Sequence, residues 1–161
     1  MTVETIVKVA QAAVRQGDGK LVTIGLGSCV AILLYDRVAR VGGMAHILLP
    51  DTSSARDASN PAKFATTAVA HLTSEMNQLG ADLKRIQARL VGGASMFPGS
   101  TVTATLNMGE RNIAAARATL LASRIPILGE DVGAAHGRSV RFSVIDGTVV
   151  VSSAFRDDVI L

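Results

Sequence analysis

Short β-branched runs dominate the first fifty positions. Residues 5–9 and 20–24 read as two strands. Between them, Gln16-Gly17-Asp18-Gly19 carries the glycines that turns with positive φ require. After the loop Gly25-Leu26-Gly27-Ser28-Cys29 comes an apolar run over residues 30–35, then a polar turn at Asp36-Arg37-Val38-Ala39-Arg40, then a second run over 41–49 that Pro50 ends. This pattern predicts a hairpin.

From Asn60 the period changes. Asn60 suits an N-cap, Pro61 the first helical position, and Ala65, Ala68, Val69, Leu72, Met76 and Leu79 recur at helical spacing before Gly80 at a C-cap. A helix is predicted over 61–79. Ile113, Ala116, Leu120 and Leu121 mark a second amphipathic helix begun near Asn107 or Asn112. Further strands are expected at 86–91, 125–128, 140–145 and 149–152, the last two joined around Asp146-Gly147. Eight strands and two helices place the chain in the α+β class. The exposed loops are expected at 50–60 and 92–101.

Composition narrows the class further. The 161 residues suit one domain, 1–161, and 48% hydrophobic against 18% charged residues excludes a disordered chain. The uncharged stretch 21–35 is broken by Gly25, Gly27 and Ser28 and is shorter than the roughly 20 apolar residues of a spanning helix, so no membrane insertion is expected. Glu4 and Lys8 interrupt the region where a signal peptide would be apolar, which points to the cytoplasm. A net charge of +3 with no Trp and 3% aromatics provides no base-stacking platform, so nucleic acid is not an expected partner.

Candidate chemistry centres on Cys29, the single cysteine, which cannot form an internal disulfide. The preceding glycines and Ser28 let the backbone turn sharply and aim consecutive N–H groups at whatever approaches the sulfur, so Gly27 and Ser28 are candidates for oxyanion support. The plainer reading is a small buried hydrophobe at the start of a core strand. A base would change that. If Asp36 pairs with Val41, Cys29 lies opposite Leu48 and His46 emerges on the same face as a diagonal neighbour. Pairing Tyr35 with Arg40 would set Cys29 and His46 directly opposite, and a one-residue slip would put His46 on the other face. The spacing permits a pair and does not decide it. His46 would draw the proton from the thiol and return it to a leaving amine. Thr23 is the nearest candidate by sequence to orient the imidazole, although threonine is common in strands for packing alone.

The remaining motifs read as structural. His71 and His136 repeat no metal-ligand spacing, and no metal or cofactor is expected. Gly25-Leu26-Gly27-Ser28-Cys29-Val30 lacks the third glycine of a dinucleotide fingerprint. Gly92-Gly93-Ala94-Ser95 reads as a tight turn beside a site rather than a phosphate cradle, and Lys84, Arg85 and Arg89 as a solvated face.

Four motifs in order carry a resemblance: Thr23-Ile24-Gly25-Leu26-Gly27-Ser28-Cys29-Val30, Gly43-Met44-Ala45-His46-Ile47-Leu48-Leu49-Pro50, Gly92-Gly93-Ala94-Ser95-Met96-Phe97 and Asn107-Met108-Gly109-Glu110-Arg111-Asn112. Over nearly the whole chain the sequence resembles the CheD family, the chemoreceptor glutamine deamidases. The resemblance implies an amidohydrolase that converts receptor glutamines to glutamate with a Cys-His-Thr triad like that of the cytotoxic necrotizing factor toxins, and Cys29, His46 and Thr23 fall on those positions. It implies a sandwich of mixed β-sheets flanked by helices, and as partners the methyl-accepting chemotaxis receptors and, in some bacteria, a CheC-type phosphatase. Phe64 and Thr66 stand where the family often has Tyr and Asp, and Ala134 replaces the second glycine of a Gly-Gly pair. Two alternatives stay open: a non-catalytic adaptor for receptors or a CheC-type phosphatase, and another thiol enzyme such as a peptidase or transglutaminase.

Overall fold

The structure is a computed structural model that describes residues 2–96 and 107–161. The second half of the loop expected at 92–101, including Phe97, lies outside the described residues.

Strand β4 (Val30–Asp36) is buried on both faces, which accounts for its uninterrupted apolar run. It pairs with β5 (Val41–Ile47) in the register that sets Asp36 against Val41. On its other side it pairs with β6 (Gln87–Gly92). With β2 (Ala12–Gln16) and β7 (Ile127–Val132) at the edges, these strands form a sheet of order β2-β5-β4-β6-β7. The second sheet has order β1-β3-β8-β9-β10, from β1 (Glu4–Ile6), β3 (Lys20–Leu26), β8 (Arg138–Ser143), β9 (Val149–Ser152) and β10 (Val159–Ile160). Both sheets are mixed: β1 runs parallel to β3, and β6 parallel to β7.

Alternation on β4 separates two cores. Ala31, Leu33 and Tyr35 point between the sheets to meet Leu21, Val140 and Phe142, while Val30, Ile32 and Leu34 point to the helices. The helices α1 (Ala65–Gln78) and α2 (Met108–Ala122) pack on each other and on that outer face. The layers are therefore sheet, sheet, helices. Gly42 lies where a Cβ would come within 2.8 Å of the Phe142 ring, so its lack of a side chain permits the close approach of the sheets. No helix among the described residues is long and apolar enough to cross a membrane.

Several element boundaries differ from the sequence expectation, each for a tertiary reason. The run at 5–9 leaves β3 after Val7, whose N–H still donates to Val22 O, because the chain turns at residues 8–11 with Ala10 at φ 61° and crosses to the other sheet as β2. The helix expected from Pro61 begins at Ala65. Asn60 caps only a 3-10 turn at Pro61–Lys63, and Phe64 is held extended by its bridge to Leu49. Strand β7 runs beyond 125–128 through Glu130 and Asp131, whose charges hid it. Arg117 binds Glu130 with two hydrogen bonds, and Arg138 pairs with Asp131 at 3.2 Å. Arg85 and Arg89 are not a simple solvated face either. Arg85 pairs with the buried Asp36 at 2.9 Å, and Arg89 is half-buried with its Nε enclosed.

Candidate active site

Cys29 sits one step past the last ladder pair, Val30 with Ile47, and so opposite Leu48. His46 shares the inter-sheet face with it as a diagonal neighbour. Both are buried, Cys29 9% and His46 1% exposed. Thr23 comes from the opposite sheet, fully buried, and reaches across the interior: its Oγ1 lies 2.8 Å from His46 Nδ1. The structure thus brings Thr23 and His46 into contact and places Cys29 on their face.

The hydroxyl settles the tautomer. Thr23 Oγ1 donates its single proton to the Val7 carbonyl at 2.6 Å, so toward His46 it accepts, and Nδ1 carries the hydrogen. Nε2 is then the lone-pair nitrogen, buried and without a hydrogen-bond partner among the described residues. The strap after β1 also fixes the backbone of His46: Ala10 N–H donates to His46 O and His46 N–H to Gln11 O.

Electrostatics keep the resting pair neutral. Burial lowers the His46 pKa, with the Val7 carbonyl pulling it partly back. Burial raises that of the Cys29 thiol, and its own backbone N–H partly offsets this. Both shifts favour the uncharged forms of the imidazole and the thiol at neutral pH.

The backbone around the sulfur is pinned through its carbonyls. Gly27 O accepts from Ala94 N–H, and Cys29 O from Gly93 N–H. Among the described residues the N–H groups of Ser28 and Cys29 meet no carbonyl. The Gly92-Gly93 turn that supplies these contacts has φ of 109° and 69°, and the loop behind it is braced by Ser95 N–H to Ala134 O and Gly133 N–H to Gly92 O. Arg138, 3% exposed, donates to Gly133 O at 2.8 Å. Ala134 keeps a left-handed φ of 56° without being glycine, Phe64 is wholly buried, and Thr66 is exposed.

Sequence reasoning missed Asn112 as a site residue. It lies on the buried face of α2 with Gly109, Ile113, Ala116 and Leu120, and its Nδ2 donates to Ser28 O at 3.0 Å and Leu48 O at 3.1 Å. A fully buried amide in an apolar stripe was the available signal. His71 stands apart, 3.4 Å from Glu75 on α1, and His136 lies in the loop before β8, its Nδ1 enclosed without a partner among the described residues.

The fold and site define a mixed α+β sandwich with a thiol, an imidazole and a hydroxyl gathered between its sheets. A family model described as CheD chemotactic sensory transduction matches residues 48–153. A protein of Caldanaerobacter subterraneus named "Probable chemoreceptor glutamine deamidase CheD" is 44% identical over 147 residues, 91% of each chain. One of Moorella thermoacetica with the same name is 43% identical over 154 residues, 95% of this chain and 92% of that one. The "Chemoreceptor glutamine deamidase CheD" of Thermotoga maritima is 40% identical over 146 residues, 91% of this chain and 89% of that one. The chain belongs to the CheD family. The family match starts after Thr23, Cys29 and His46, but an overlap of 95% of the chain runs through all three.

Proposed function

We propose that this protein is a cysteine-dependent protein-glutamine deamidase acting on chemotaxis receptors. The names of its relatives supply the substrate class. The observation that carries the mechanism is the Thr23 hydroxyl, committed to Val7 and so accepting from Nδ1, which leaves His46 Nε2 basic on the face that holds Cys29.

In this reading His46 Nε2 takes the Cys29 proton as the sulfur attacks the glutamine carboxamide carbon. The N–H groups of Ser28 and Cys29, on a turn held by the bond from Ala94 N–H to Gly27 O, receive the negative charge that develops on the amide oxygen. His46 then returns the proton to the nitrogen, ammonia leaves, and a thioester links Cys29 to the substrate. Water, deprotonated by His46, attacks the thioester, releasing glutamate and restoring the thiol. Thr23 holds the imidazole in the productive tautomer throughout. Each turnover consumes one water, liberates one ammonia and adds one negative charge to the receptor, which biases its signalling equilibrium and tunes chemotaxis. A CheC-type phosphatase that occupies the same surface would compete with the receptor.

Ammonia release from a purified receptor cytoplasmic domain tests this reading. Wild-type protein should release ammonia, and folded Cys29→Ala and His46→Ala proteins should lose at least about 1000-fold in rate, because members of such a unit act together. Activity retained in either variant contradicts it.

A further inference from the structure

The ladder between β4 and β5 ends at Val30 and Ile47, and beyond it the backbone groups of the two chains take other partners. Leu48 N–H turns to the Lys63 carbonyl and Cys29 O to Gly93 N–H. The carbonyls of Ser28 and Leu48 are bound instead by one side chain, as Asn112 gives one Nδ2 proton to each. The two oxygens can stand no farther apart than those two bonds laid end to end. The amide orientation is fixed by this, since only the NH2 end can face two carbonyls. Its Oδ1 is left buried without a partner among the described residues, an arrangement that costs stability.

The Ser28 bond has a further effect. Ser28 C=O and Cys29 N–H belong to the same planar trans peptide and point in opposite directions. Fixing the carbonyl toward Asn112 therefore fixes the Cys29 N–H away from it, and hydrogen bonding at the carbonyl strengthens the N–H as a donor. Helix α2 holds Asn112 rigidly to the site: a Cβ on Gly109 would run into the carbonyl oxygens of Gly93 and Ala94, and one on Gly93 into the Ile113 side chain.

We propose that Asn112 is a positioning residue that sets the Ser28–Cys29 peptide plane, aiming the Cys29 N–H at the developing oxyanion. This rests on the deamidase reading above. It acts through the backbone, with no hydrogen bond to the thiol or the imidazole among the described residues, so its loss should separate oxyanion chemistry from thiol reactivity.

Asn112→Asp, which keeps the shape and replaces the donor by an acceptor, and Asn112→Ala are measured beside wild type on a receptor cytoplasmic domain. Both should lower kcat by about 10- to 100-fold with KM within about twofold, since a misplaced oxyanion donor acts in the transition state. Alkylation of Cys29 by iodoacetamide, a displacement that forms no oxyanion, should stay within about threefold of wild type. A folded variant with wild-type kcat overturns the proposal, and so does a parallel fall in alkylation, which would make Asn112 act on the thiol itself. If both variants fail to fold, the wild type decides: the Asn112 Nδ2 protons should exchange with solvent far more slowly than those of the exposed Asn107, and equal rates overturn the assignment. Wild-type protein that releases no ammonia, or a His46→Ala protein that still does, refutes the deamidase reading instead.

Discussion

Thr23→Val keeps the outline of the side chain and removes both of its hydrogen bonds, leaving the imidazole free to present either nitrogen. The expected result is a kcat at least about tenfold lower with KM nearly unchanged, while Thr23→Ser keeps most activity. An effect on KM alone would place Thr23 in substrate binding. The His46 pKa makes a second prediction. The imidazole must be neutral to accept the thiol proton, and burial depresses its pKa, so kcat/KM should rise with pH at a midpoint below about 6.5 and not at or above it. At this scale the sequence was informative for Cys29 and His46, because strand alternation left only a choice of register. It was less so for Thr23, whose link to His46 runs between two sheets. For Asn112 the sequence offered an amide on the apolar stripe of α2 but not its partners, which lie 64 and 84 residues away.

Elements transmit these positions. Asp36, fully buried at the end of β4, accepts from the N–H groups of Val38, Ala39 and Asp82 and from Arg85. Burial pushes its carboxyl up, but the Arg85 guanidinium and these N–H groups outweigh it and hold the pKa below the ordinary value. A carboxyl depressed in the folded state adds stability at neutral pH that is lost as pH falls through its folded pKa. Asp36→Ala should therefore cost about 2 to 4 kcal/mol at pH 7 by urea unfolding. It should also make the urea midpoint less sensitive to pH between 5 and 3. Gly109→Ala should force α2 off the Gly93-Ala94 turn and lower stability, read as a fall in Tm, together with kcat. The hairpin and the helical periods were legible because they are local. Strand β2 was not: Ala12-Ala13-Val14 carries little strand propensity, and pairing with β5 imposes it. Phe64, read as helix, is extended for the same kind of reason.

Across the whole molecule, the two sheets have separate tasks around one interior. One carries His46 on β5 and Cys29 just ahead of the adjacent β4, and the other supplies the Thr23 hydroxyl that meets the imidazole. The helices cover only the first of these sheets, and from there α2 reaches the backbone of Ser28. That division explains why an α+β class could be read from residue patterns while the layer order could not: the patterns give the faces of each strand, and the pairing of β1 with β3 across an intervening β2 decides which sheet each strand joins. On the proposed function, this interior converts a glutamine side chain to glutamate. The most direct test is peptide mass spectrometry of a receptor cytoplasmic domain after incubation with wild-type, Cys29→Ala or His46→Ala protein, each verified as folded. Wild type alone should add about 1 Da at defined glutamines, the difference between an amide and the acid formed by its hydrolysis. Unchanged mass after incubation with folded wild-type protein that binds the receptor would contradict the account and favour an adaptor that docks without chemistry.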